Sequence, residues 1–161
     1  MCPNKHAGLP RFIAAVLTDD ARQRLELAIG DFKFPNSKLK EEQHLHHVTM
    51  AFNPTLSDYQ KIIKTAKSGD EVIVKCKKRC WSKDYGAEAV KVELLNKDGK
   101  PIYVQSGFPH ITVSTDGKPP VAGMKLFAQS DEGYDGENYI HDLECEGFDH
   151  ITLSAIVTFK D

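Results

Sequence analysis

The chain reads as an α+β domain with more strand than helix, and three observations carry that reading. Apolar residues gather in short runs, or alternate with polar ones in the manner of half-buried strands. Only two stretches, one after Thr18 and one after Ser57, space their apolar residues as amphipathic helices behind a capping residue. Turn-forming clusters such as Pro35-Asn36-Ser37, Asn53-Pro54 and Asn96-Lys97-Asp98-Gly99 cut the chain into pieces too short for long helices. A length of 161 residues fits a single domain over 1–161, or two small lobes sharing a core.

Arg11 to Leu17 is short and apolar and predicts a strand. Thr18 or Asp19 caps a helix to about Phe32, with Leu25, Leu27, Ala28 and Phe32 on its apolar side. Leu45 to Phe52 alternates and predicts a second strand. Ser57 caps a second helix, Asp58 to Lys67, whose apolar side is Tyr59, Ile62, Ile63 and Ala66. After Gly69-Asp70, the stretch from Val72 and then Ala87 to Leu95 predict two strands joined by a Trp81–Gly86 loop. Pro101 to Gln105 predicts a short strand and Phe108 to Ser114 a longer one. Pro119 to Met124 predicts a loop or helical turn, and the acidic Asp131 to Glu137 a solvated loop. Tyr139 to Cys145 and His150 to Phe159 predict a closing antiparallel pair.

Composition excludes several classes. With 40% hydrophobic and 27% charged residues, the chain has the balance of a soluble globular protein. No apolar run approaches a membrane span, and the N-terminus lacks the apolar region of a secretory signal. The four cysteines, Cys2, Cys76, Cys80 and Cys145, fit a reducing interior and are expected as buried or inert thiols; the chain is expected as a monomer of the cytoplasm or nucleus. Charge is uneven: Lys61 to Lys83 is basic, whereas Asp131 to Asp149 holds acidic residues and neither Lys nor Arg. A polyanion is attracted to the first region and repelled by the second.

The histidines carry the chemistry. Three of seven are followed two residues later by threonine: His47-Val48-Thr49, His110-Ile111-Thr112 and His150-Ile151-Thr152. On a strand, residues i and i+2 share a face, so each imidazole points the same way as its threonine hydroxyl. Two such strands offer a proton donor, a proton acceptor and two neutral hydroxyls to one phosphodiester, with no metal or other cofactor required. His150 follows Glu144, Glu146 and Asp149, a poor neighbourhood for a phosphate, so His47 and His110 are the expected catalytic pair. Thr49 and Thr112 are the expected phosphate ligands. His44 and His46 are expected as loop and opposite-face residues.

The motifs His47-Val48-Thr49-Met50 and His110-Ile111-Thr112-Val113 resemble the paired HxTx signature of the 2H phosphoesterase superfamily. The stretch from Phe108 to Ser114, then Pro120 to Leu126, and a closing strand from Ile151 to Phe159 resemble the end of 2′,3′-cyclic-nucleotide 3′-phosphodiesterases. They are also similar to the cyclic phosphodiesterase domain of fungal and plant-type tRNA ligases. The resemblance implies a bilobal fold, two antiparallel sheets flanking a central cleft with outer helices, and one motif per pseudo-symmetric lobe. It further implies hydrolysis of RNA or nucleoside 2′,3′-cyclic phosphates to a 2′-phosphate, an end-healing step of RNA repair or tRNA splicing. By analogy His110 is the base and His47 the acid.

Around the motifs, Phe52, Phe108, Trp81, Lys83 and Tyr85 are candidate base or RNA contacts, since aromatic faces stack unpaired bases and cations meet phosphates. Core packing is the competing role for Phe52, Phe108 and Trp81. Two other readings use the same residues. One keeps the acid and base but takes a 2′,5′-oligoadenylate or an ADP-ribose cyclic phosphate; the other is an RNA-end binding module without turnover.

Overall fold

The computed structural model describes residues 8–37, 39, 44–118, 122–133 and 136–161. Within them the chain runs β1 Phe12–Leu17, α1 Asp19–Ile29, β2 His47–Phe52, α2 Leu56–Ile63, β3 Glu71–Ser82, β4 Ala87–Leu95, β5 His110–Thr115, α3 Gly123–Glu132, β6 Glu144–Gly147 and β7 Thr152–Lys160. The α+β class stands. The strands lie in the order β4-β5-β2-β1-β7-β3-β6, and a further β3–β4 pairing closes the first six into an antiparallel barrel.

The expected pair of separate sheets is therefore replaced by one continuous sheet, and β3 is the reason. Its twelve residues pair with β4 along one edge and with β7 and then β6 along the other. A strand that long joins both halves and leaves no gap between sheets.

One side of the sheet carries the main core. Ile13, Val48, Val74, Val92, Ile111 and Leu153, one from each barrel strand, are almost wholly buried in a single apolar cluster. Ala21, Leu25 and Ile29 of α1 and Ile62 of α2 complete it. Thr18 caps α1 by accepting from Ala21 N, as expected, but Leu27 is 84% exposed, so the buried stripe is narrower than the sequence suggests. The α2 cap is Thr55 rather than Ser57: Thr55 and Asp58 form a reciprocal capping box, which satisfies two backbone donors where Ser57 would satisfy one.

On the same side Glu88, fully buried, accepts from Arg79 Nε (2.5 Å), Ser114 Oγ (2.6 Å) and Lys33 N (2.9 Å). Arg79 also donates to the carbonyls of Ile29 and Asp31, tying the end of α1 to β3 and β4. Every oxygen and nitrogen here has a partner, so removing one member strands a buried charge at a cost of about 3–5 kcal/mol.

The opposite side holds a smaller core under α3: Cys80, Ala87, Ala89, Leu126, Phe127 and Ile140. The sequence predicts only a loop or a helical turn ending at Met124, but a helix runs on through 123–132, because the glycines and acids that follow mask a short apolar stripe of Leu126 and Phe127. Asp131, expected in a solvated loop, ends that helix in ion pairs with Lys78 and Lys91. Burial alone would push its carboxyl up, but the two lysine hydrogen bonds outweigh that and hold it below the usual range.

Three further expectations change. Pro101–Gln105 forms only an isolated bridge to Leu95. β6 pairs with β3 rather than β7, because β1 and β3 occupy both edges of β7. The Cys80–Cys145 pair lies in register between β3 and β6 and is a disulfide, not two thiols. Cys76 is a buried thiol, pushed up to about 12 by desolvation and so inert. Pro119 to Val121 of the expected loop, Tyr134 and Asp135 of the acidic stretch, and the first seven residues lie outside the described residues.

Candidate active site

The two motifs meet because β2 and β5 are neighbours. Their register pair is Val48 with Ile111, both wholly buried in the main core. Registers in an antiparallel ladder sum to a constant, so His47 stands opposite Thr112 and Thr49 opposite His110. All four side chains therefore leave the face opposite the core. Directly facing residues are about 5 Å apart and diagonal ones about 7–8 Å. The result is a square with the two imidazoles on one diagonal and the two hydroxyls on the other, related by a pseudo-twofold axis through the Val48–Ile111 pair.

Local backbone sets this register. Leu45, just before β2, is held at φ 51, a left-handed conformation that costs a non-glycine residue about 1–3 kcal/mol. Burial of its side chain and a hydrogen bond from its amide to Thr112 O (2.9 Å) offset that strain. At the other end Gln105 N donates to Met50 O. Beside β2, β1 places Ala14 next to Thr49 and Val16 next to His47, small apolar neighbours that leave the hydroxyl exposed.

His47 is half-buried, with Phe12 edge-on at 5.8 Å. Its pKa falls from 6.5 to about 4, chiefly through desolvation, with repulsion of a second charge by the neighbouring His46, His110 and Lys160 adding to the effect. At neutral pH the unliganded ring carries no charge. His46, expected on the opposite face, instead lies edge-on to it with the two Nδ1 atoms 3.1 Å apart. The stretch ahead of β2 is not yet strand at His46, so strict alternation does not govern its direction.

His110 is fixed differently. Its Nδ1 lies 2.8 Å from Phe108 O. A carbonyl can only accept, so Nδ1 carries the proton and the neutral ring keeps its lone pair on Nε2. The first turn of α3 packs on the ring: a Cβ on Gly123 would sit 2.7 Å from His110 Cδ2 and 2.9 Å from Nε2. Only glycine allows that approach.

The remaining candidates divide. Phe52 is 61% exposed at the end of β2, paired with Phe12 rather than packed in the core. Phe108 is half-buried against the smaller core, and its backbone, not its ring, serves His110. Trp81 sits on the Arg79 and Glu88 side of the sheet, under Lys33 Nζ (4.1 Å) and bonded to Glu144, away from the imidazoles. Lys83 is exposed in the β3–β4 turn, while Tyr85 packs on the α3 side. The basic–aromatic run is thus split between two faces. His150 is exposed in the bend before β7, edge-on to Phe148 at 4.8 Å. The β7 residue that flanks Ala14 is Thr158.

Register also brings in residues that the sequence reading missed. Lys91 pairs with His110 across β4 and β5 and so shares its face. Lys160 pairs with Phe12 and its charge reaches His47. Nothing in their local sequence marks either one.

The chain has structural counterparts where sequence finds none: no protein-family model and no curated protein matches it. Its fold matches a crystal structure of a fungal RNA kinase with a TM-score of 0.61, over 99% of this chain and at 15% identity. This chain spans 47% of the length of that one. Among the described residues no helix is long and apolar enough to cross a membrane. At such low identity the likeness is one of fold, and the fold is one found in a fungal RNA kinase.

Proposed function

We propose that this protein is a metal-independent phosphodiesterase that opens 2′,3′-cyclic phosphates at RNA ends or on nucleosides. The observation that carries the reading is the square of His47, Thr49, His110 and Thr112 set by one register pair. The fold likeness to an RNA kinase supports RNA as the substrate class.

Thr49 and Thr112 donate hydroxyl hydrogens to the non-bridging oxygens, which binds the anion without adding negative charge. His110, anchored by Phe108 O, accepts a proton from water at Nε2 as that water attacks phosphorus. The P–O3′ bond breaks, and His47 gives its proton to the departing 3′ oxygen, leaving a 2′-phosphate. His47 needs that proton, yet its free-site pKa is about 4. A phosphate charge about 4 Å away supplies about 4 kcal/mol at an effective dielectric of about 20, equivalent to about three pH units. Substrate binding is therefore enough to arm the acid near neutral pH.

The test is incubation with a 2′,3′-cyclic nucleotide in chelator, with the product isomer identified by NMR. A 2′-phosphate is expected, with activity lost in His47→Ala and His110→Ala and largely kept in His150→Ala. An active His110→Ala enzyme overturns the assignment.

A further inference from the structure

We infer that the cavity between the β3–β4 turn, the first turn of α3 and the 138–141 segment is a subsite for single-stranded RNA upstream of the reacting end. This rests on the proposed reaction and names the polymer, rather than the mononucleotide, as its preferred substrate. The cavity has a volume of about 530 Å³, within the range of small-ligand sites. Tyr85, Lys118, Lys125, Asn138, Tyr139 and His141 line it, together with Asp84 and Ile140.

Its 138–141 wall belongs to the acidic 131–149 stretch, but the lining itself sets two lysines, Lys118 and Lys125, and aromatic rings against one carboxylate, Asp84, so attraction for a phosphate rests on those two lysines. Tyr139 is 40% exposed, and its ring meets His141 edge-on at 4.8 Å, leaving aromatic surface to the cavity. Lys118 Nζ lies 4.8 Å from the centre of the Tyr85 ring. A base stacks on the exposed Tyr139 ring whatever its identity, and the lysines meet the backbone phosphates. Hydrogen bonds tie the cavity walls together. Gln129 of α3 makes two 2.7 Å hydrogen bonds to the backbone of Ile140, and Asp142 accepts from Ser82 Oγ and Asp84 N.

Position ties it to the square. Gly123 touches the His110 ring, and Lys125 lies two residues further along the same helix. The square and the cavity thus both border the first turn of α3.

Two substrates test this: a 2′,3′-cyclic mononucleotide, and a short oligoribonucleotide ending in a 2′,3′-cyclic phosphate. In Tyr139→Ala and in Lys125→Ala, the oligonucleotide-to-mononucleotide ratio of kcat/KM is expected to fall about tenfold. A ratio unchanged in both variants overturns the subsite. Fluorescence anisotropy with a labelled oligoribonucleotide ending in a 3′-phosphate gives a reading independent of turnover. Tyr139→Ala should weaken binding about tenfold, and Lys118→Ala should lower the salt dependence by about one released ion. If neither substrate is hydrolysed but these binding losses occur, the reaction fails and the subsite stands. If both substrates are hydrolysed and binding is unaffected, the subsite fails and the reaction stands.

Discussion

Replacing His47 by asparagine separates two consequences of its burial. The wild-type ring is neutral in the fold below its ordinary pKa, at about 4 instead of 6.5. Between those values the unfolded chain binds a proton that the native protein does not, so stability rises with pH across that window. The increment is fully present above pH 6.5 and is lost as pH falls through 4. Two and a half units correspond to about 3 kcal/mol. His47→Asn has no imidazole to titrate, so the difference in unfolding free energy between pH 7 and pH 4 should shrink by about 3 kcal/mol. Urea denaturation followed by fluorescence at several pH values measures this, since the carboxylates that dominate acid unfolding are common to both proteins. Turnover should vanish in the same variant. Equal pH dependence in the two proteins would refute the claim that His47 is held neutral by its surroundings.

Binding should restore the missing proton: calorimetry at pH 6–7 in buffers of different ionisation enthalpy should show uptake of up to one proton per cyclic nucleotide bound. No uptake would mean that the phosphate does not charge His47. Gly123→Val places a branched side chain against His110 Cδ2 and Nε2, and kcat should drop about 100-fold while circular dichroism shows the fold intact. Cys145→Ser opens the link between positions 65 residues apart, and should cost about 4 kcal/mol in chemical denaturation under non-reducing conditions.

How much of the site was legible follows from the range of the forces involved. Within a triplet, strand alternation is enough: it puts His47 with Thr49, and His110 with Thr112, and sends Val48 and Ile111 into the core. The choice of His47 and His110 over His150 rested on local charge, and the contact between β2 and β5 brings those two together while His150 lies in the bend before β7. What periodicity cannot supply is any residue that crosses strands. Lys91, Lys160 and Ala14 come beside the candidate site through pairings with partners far along the chain. Irregular positions erase the pattern further: a register shift beside Ala14, another beside Ala89, and a His46 that precedes the strand. Each moves side chains from the face that simple alternation assigns.

The sequence by itself determined the class of fold, the strand character of each His-x-Thr triplet and the pairing of imidazole with hydroxyl on one face, because these depend on spacing over a few residues. Tertiary structure alone decided the 48–111 register, the closed barrel in place of two sheets, the Cys80–Cys145 bond and the helix that seats Gly123 on His110. Those features come from burying both sides of one sheet at once, a condition that no local window of sequence contains.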